Sequence, residues 1–167
     1  QEVLALANTS TGDGDDLEAR TEILRRDASG AWTTVGTVRR PVARQRAYGG
    51  DLLAAKTATG TRLYVSLTSS IGPLTAPQTT SVATSDDGGK TWKVMIKGMD
   101  VVEGFGFDPA QPTFHDPHCM RMCPGNPDRL YQQNHCGIYR LDRPATTWTR
   151  IGRSMPARVG DIGFPMV

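Results

Sequence analysis

The sequence predicts an all-β protein built from a repeated four-stranded antiparallel unit, and three observations carry that prediction. Short runs of alternating apolar and polar residues, bounded by Gly, Pro, Asn, Asp and Thr, dominate the chain. The nearest candidate for a helix, residues 15–26, gives way to turn residues. The three tryptophans, Trp32, Trp92 and Trp148, lie 60 and 56 residues apart, and each precedes a short strand-like run. Finally, Thr61-Arg62-Leu63-Tyr64-Val65 resembles Asp128-Arg129-Leu130-Tyr131-Gln132, with Arg-Leu-Tyr opening a strand in both.

The middle module reads as strands over 51–56, 62–68, 81–85 and 91–96, with Leu63, Val65 and Leu67 forming one apolar face by alternation. The first module fits the same frame. Leu4 precedes Trp32 by 28 residues as Tyr64 precedes Trp92, and Asp27 and Asp87 each stand five before their tryptophan. In the third, residues 115–123 are expected as an inner strand and 128–136 as its antiparallel neighbour. One such sheet cannot bury both faces alone. Stacked face to face at this interval, the sheets are blades of a β-propeller.

The expected blades span 1–38, 47–98 and 101–152, with 159–167 as the inner strand of a further blade. The first blade starts at its second strand, residues 2–7. Either the chain is a piece of a longer propeller or its tail completes a partner's first blade. In the second case two chains close a six-bladed ring. An open stack exposes apolar faces, so further blades or a self-partner are expected.

Bulk properties narrow the function classes. With 22% charged and 38% hydrophobic residues in 167, the chain suits a globular domain with a real core. A net charge of +2 gives no case for nucleic acid. Arg39, Arg40, Arg44 and Arg46 read as a solvated loop. No apolar run reaches the roughly 20 residues of a membrane helix, so no membrane partner is expected. Three cysteines, an odd count in so large a domain, argue against a disulfide scaffold. They lean the localisation towards a reducing, cytoplasmic compartment.

Ser85-Asp86-Asp87-Gly88-Gly89-Lys90-Thr91-Trp92 matches Ser-x-Asp-x-Gly-x-Thr-Trp at every fixed position. Here the Asp87 carboxylate can accept hydrogen bonds from its own turn, and Gly88-Gly89 permits positive φ. The segment resembles the Asp-box of BNR-repeat propellers, the sialidase-like superfamily. The resemblance implies that Ser85, Asp87, Gly89, Thr91 and Trp92 are structural, away from any ligand, and that ligands bind at the central channel. Two degenerate copies flank it: residues 26–32 keep Asp27 and Trp32, and residues 141–148 keep Asp142, Thr147 and Trp148. The arginine-containing motif that sialidase chemistry needs near the start is missing, and no Tyr–Glu nucleophile pair is recognisable. The catalytic residues are therefore unknown.

Every histidine and every cysteine lies between His115 and Cys136. On the inner strand and its neighbour, His115, Asp116, His118, Arg121, Asn134 and His135 are the ligand-binding candidates. Soft thiolates and an imidazole at Cys119, Cys123, His135 and Cys136 would suit a divalent transition metal as cofactor. Against this, Cys119 and Cys123 lie roughly 13 Å apart on an extended strand, and free Cys packs as a small hydrophobe.

Four functions follow as expectations. The leading one is a sialidase-like Asp-box propeller binding a small-molecule or glycan ligand at its channel, with its chemistry unassigned. The alternatives are a glycoside hydrolase whose catalytic residues lie partly outside this chain, a metal-dependent protein using residues 115–136, and a protein-interaction scaffold.

Overall fold

The computed structural model describes residues 3–11, 18–39, 46–48, 50–70, 81–95, 97–99, 117–134 and 136–158. These residues form β1 (Val3–Thr11), β2 (Glu18–Arg26), β3 (Trp32–Arg39), β4 (Arg46–Tyr48), β5 (Leu52–Thr57) and β6 (Gly60–Ser70). There follow β7 (Ser81–Ser85), β8 (Lys93–Met95), β9 (Cys119–Cys123), β10 (Asn126–Asn134), β11 (Gly137–Asp142) and β12 (Thr149–Arg150). One 3-10 turn, Gly152–Ser154, follows β12. Of residues 15–26, the nearest but unconvincing helical candidate, the described residues 18–26 form β2. The expected strand at 159–167 and all of 101–116 lie outside the described residues.

The strands make three antiparallel sheets, ordered β1-β2-β3, β4-β6-β7-β8 with β5 also on β6, and β12-β11-β10-β9. Apart from the pairing of β4 and β5 with one strand, each is a meander of sequence neighbours. Short hairpins such as 57–60 and 123–126 set the registers. The fold is all-β, no sheet among the described residues closes into a barrel, and partial blades fit the arrangement.

The middle sheet is apolar on both faces. Alternation along β6 and β7 sends Leu63, Val65 and Ala83 one way, where they pack with Ile23, Leu4, Leu6 and Val35 of the first sheet. It sends Tyr64 and Val82 the other way, into a cluster with Met120, Leu130, Tyr139, Leu141 and Trp148 of the third sheet. The three sheets therefore stack face to face. Gly36 of β3 shows how closely: a Cβ there would fall 2.2 Å from the Gly89 carbonyl oxygen of the middle sheet.

The tryptophans occupy matching places but differ in burial. Trp148 is 2% exposed, and its indole N–H donates to the Met95 carbonyl of the preceding sheet at 3.0 Å. Trp92 is half-buried against the first sheet and donates to the Gly89 carbonyl of its own turn at 2.9 Å. Trp32 pairs with Arg26, opposite Val3, on the face turned away from the middle sheet, and is 46% exposed.

The turn at Asp87 forms as its residue types dictate. Oδ1 accepts the amide N–H groups of Lys90 and Thr91 at 3.0 and 2.9 Å, and Oδ2 accepts the Thr91 hydroxyl at 2.6 Å. The Ser85 hydroxyl donates to Oδ1 at 2.7 Å and accepts the Gly89 amide at 2.8 Å. Gly88 and Gly89 take φ of 73° and 101°, which side chains disfavour. Asp27 repeats the device, accepting from Ser29 and Ala31 amides at 2.9 and 3.0 Å. The third sheet does not. Leu63 pairs with Ser85 and Leu130 with Leu141, so Asp142 stands where Asp86 does and Arg143 where Asp87 does.

Charged side chains fasten the middle and third sheets at this same end. Arg62 bonds both Asp86 of its own sheet and Asp128 of the next. Arg143 returns to Asp86 at 2.9 Å and to the Thr84 hydroxyl at 3.1 Å. Both guanidinium side chains are largely shielded, 17% and 18% exposed. Partial burial alone would raise the Asp86 pKa. Hydrogen bonding to Arg62 and the charge of Arg143 outweigh it and hold the carboxyl below its ordinary value.

Two outcomes test this account. Trp148→Ala is expected to cost about 3–5 kcal/mol in urea unfolding, and Trp32→Ala within about 0.5 kcal/mol; equal costs would contradict the burial difference. The second concerns acid. Hydrogen bonds from the Thr91 hydroxyl, the Thr91 amide and Ser85 hold Asp87 well below the usual carboxylate range. A depressed folded-state pKa gives stability that is complete above the unfolded value, about 3.9, and is lost as pH falls below it. Asp87→Asn should lower the melting temperature at pH 7 and flatten its fall between pH 4 and 2, as followed by circular dichroism.

Candidate functional site

The candidate residues concentrate on β9 and β10, whose ladder pairs Cys119 with Gln133, Met120 with Gln132 and Arg121 with Tyr131. The His118 amide donates to the Gln133 carbonyl at 2.9 Å, extending the ladder by one residue. His118, Cys119 and Asn134 thus share one end of the sheet. His115, Asp116 and His135 lie outside the described residues.

Asn134 is fully buried, and its Oδ1 accepts the Cys136 amide at 2.7 Å, shaping the turn into β11. Its Nδ2 lies 4.0 Å from the Met99 sulfur. The three cysteines sit in three different settings. Cys119 is buried on the β9 ladder. Cys136 packs in the core beside Tyr139, whose hydroxyl donates to the Cys136 carbonyl at 3.3 Å. Cys123 ends β9, its thiol 3.6 Å from the Pro124 carbonyl. Among the described residues no group of three His, Cys, Asp or Glu side chains is placed to hold a metal ion.

The sheet edges supply a residue absent from the sequence candidates. Tyr48 pairs with Thr68 but Leu52 with Val65, so one extra residue sits in the β4–β5 edge. This is a bulge. The Asp51 amide donates to the Ser66 hydroxyl at 2.6 Å, and the Asp51 carbonyl accepts the Ser66 amide at 3.0 Å. A Cβ on Gly50 would lie 1.8 Å from the Ser66 carbonyl oxygen, so only glycine fits there.

The bulge turns Asp51 towards the third sheet. Its Oδ2 accepts the Met120 amide at 2.6 Å, and its Oδ1 lies 3.6 Å from Arg121 Nη1. Arg121 Nη1 also donates to the Met120 carbonyl at 3.0 Å. The Arg121 side chain stays 47% exposed and Asp51 33%. Gln132, beside Met120 on the ladder, is fully buried, and its amide has no protein partner among the described residues. The result is a guanidinium held by its own strand and a carboxylate, with further N–H groups directed to solvent. Such a group suits recognition of a carboxylate or of paired hydroxyls.

The sequence signal for Asp51 was present: Gly49-Gly50 directly before an acidic residue and an apolar strand. Paired glycines ahead of a strand mark a bulge as readily as a turn. A separate cleft of about 420 Å³ opens between the first and middle sheets at the Asp87 turn, lined by Leu4, Arg25, Val35, Leu63 and Lys90 among others. It contains none of the ligand-binding candidates.

The chain matches no protein-family model and no curated protein sequence.

Removing the Asp51 carboxylate exposes an edge amide. Asp51→Ala should cost about 1.5–3 kcal/mol, the range for a hydrogen bond to a charged group. The Met120 amide should lose protection in hydrogen exchange while that of Leu130 keeps it. Unchanged Met120 protection would show that the contact does not form.

Proposed function

We propose that this chain is part of a β-propeller of the Asp-box type and that it binds a small acidic glycan where the β5 and β9 edges meet. The Asp-box reading rests on the Ser85–Trp92 motif and its Asp87-centred turn, on the repeated Arg-Leu-Tyr strands and on the face-to-face stack of antiparallel sheets. The ligand reading rests on one observation: Arg121, half open to solvent, is held in place by its neighbours' carbonyl and carboxylate. A fixed guanidinium can bond a sugar carboxylate through two parallel N–H groups. Asp51 beside it can accept sugar hydroxyls. No reaction is assigned.

Titration of the chain with sialylated and neutral oligosaccharides, followed by amide shifts in NMR, tests the proposal. The sialylated ligand should shift the Met120 and Arg121 amides, and Arg121→Ala should weaken binding by about 10-fold or more, the effect of losing a charged hydrogen bond. The proposal is overturned if no oligosaccharide binds at millimolar concentration, or if Arg121→Ala binds as tightly as the parent.

A further inference from the structure

We infer that the cleft between the first and middle sheets at the Asp87 turn is a second binding site, and that it takes a flat apolar ring carrying one sulfonate, sulfate or carboxylate group. The cleft shares no residue with the β5–β9 site, so the inference stands apart from the glycan reading. It opens where the middle sheet stops. On the inner face of β2, Ile23 is fully buried against the middle sheet, whereas Arg25, two residues on, is exposed. Facing Arg25, the middle sheet has given way to its 57–60 hairpin and its Asp87 turn. The opening measures about 420 Å³, within the roughly 300–1,000 Å³ usual for small-ligand sites.

The floor is aliphatic. Leu4 and Val35 of the first sheet pack on the cluster around Leu63 yet stay partly exposed. At the two turn tips Gly60 and Gly88 leave room, since a Cβ on either would meet nothing within 4 Å. The charges sit at the mouth, where Arg25 and Lys90 are exposed. Among the described residues neither the Arg25 guanidinium nor the Lys90 ammonium has an acidic partner. Asp86 and Asp87 also line the cleft, but their oxygens are engaged. Asp86 bonds Arg62 and Arg143. Asp87 accepts the Ser85 and Thr91 hydroxyls and the Lys90 and Thr91 amides of its own turn. The cleft thus offers a ligand apolar area with two cations at its rim. A ring buries itself on the floor, and an anionic oxygen group on that ring answers the cations.

Titration with toluene-4-sulfonate, followed by amide shifts in NMR, tests this. The ligand should shift the Gly60, Gly88 and Lys90 amides with a Kd of about 1 mM or tighter, and leave the Met120 amide unmoved. Benzyl alcohol supplies the ring without the charge, and inorganic sulfate the charge without the ring. Each should bind at least about 3-fold more weakly. Arg25→Leu and Lys90→Leu should each weaken sulfonate binding by about 3-fold and together by about 10-fold, as separate exposed charge pairs add. Far-ultraviolet dichroism of each variant is the folding control. The inference is overturned if the sulfonate shifts none of the three amides at about 10 mM. Equally tight binding of benzyl alcohol or of sulfate overturns it too, as does a folded double variant that binds like the parent.

Discussion

The structure depends on a middle sheet that can be solvated on neither face. Leu63, Val65 and Ala83 on one side and Tyr64, Val82 and Met95 on the other are buried. Each large apolar side chain removed from water contributes about 1.5–3 kcal/mol. A two-sided apolar sheet exists only between two covers, so the first and third sheets are obligatory partners of the second. The same requirement explains why the neighbouring sheets send their largest side chains towards it, Ile23 from one side and Tyr139, Leu141 and Trp148 from the other.

Polar groups then decide how the covers sit. At the Asp87 end, Arg62 and Arg143 cross between the middle and third sheets and share Asp86. Towards the β5–β9 edge, the Asp51 carboxylate takes the Met120 amide. Both sets of contacts span the same two sheets, so sliding of one over the other breaks charged hydrogen bonds at two separate places. Between the first and middle sheets the close fit of Gly36 on Gly89 imposes a comparable limit by steric means. Apolar burial sets the stack, and directional contacts set its registration.

Much of this was legible in the sequence because it follows from period-two alternation and turn chemistry. The strands around Leu63 and Leu130, the hairpin at Pro124-Gly125 and the hydrogen-bonding role of Asp87 all follow from local residue types. What the sequence hid depends on offsets and on surroundings. Asp142 was read as the aspartate kept from the box, yet it stands six residues before Trp148, as Asp86 does before Trp92, and strand pairing aligns it with Asp86 as well. The turns are of equal length, and the box position itself is taken by Arg143. Three tryptophans at similar intervals read alike, yet their burial runs from 2% to 46% because their neighbours differ. Asp51 was overlooked because its role comes from a bulge. Of the site candidates, His118, Cys119 and Asn134 share one end of β9 and β10, with Cys119 on the face opposite Asn134, whereas Cys123 ends β9 and Cys136 enters the core.

The Asp51 contact also bears on colony-like growth of misassembled chains. Among the described residues β9 is the rim of its sheet, and an unguarded rim invites any extended peptide to add itself as another strand. By occupying the Met120 donor with a charged side chain, the fold withdraws one rung of that template and sets a negative charge in the path of an incoming backbone carbonyl. A one-residue irregularity in a neighbouring strand thereby fills one of the hydrogen-bonding places along that rim.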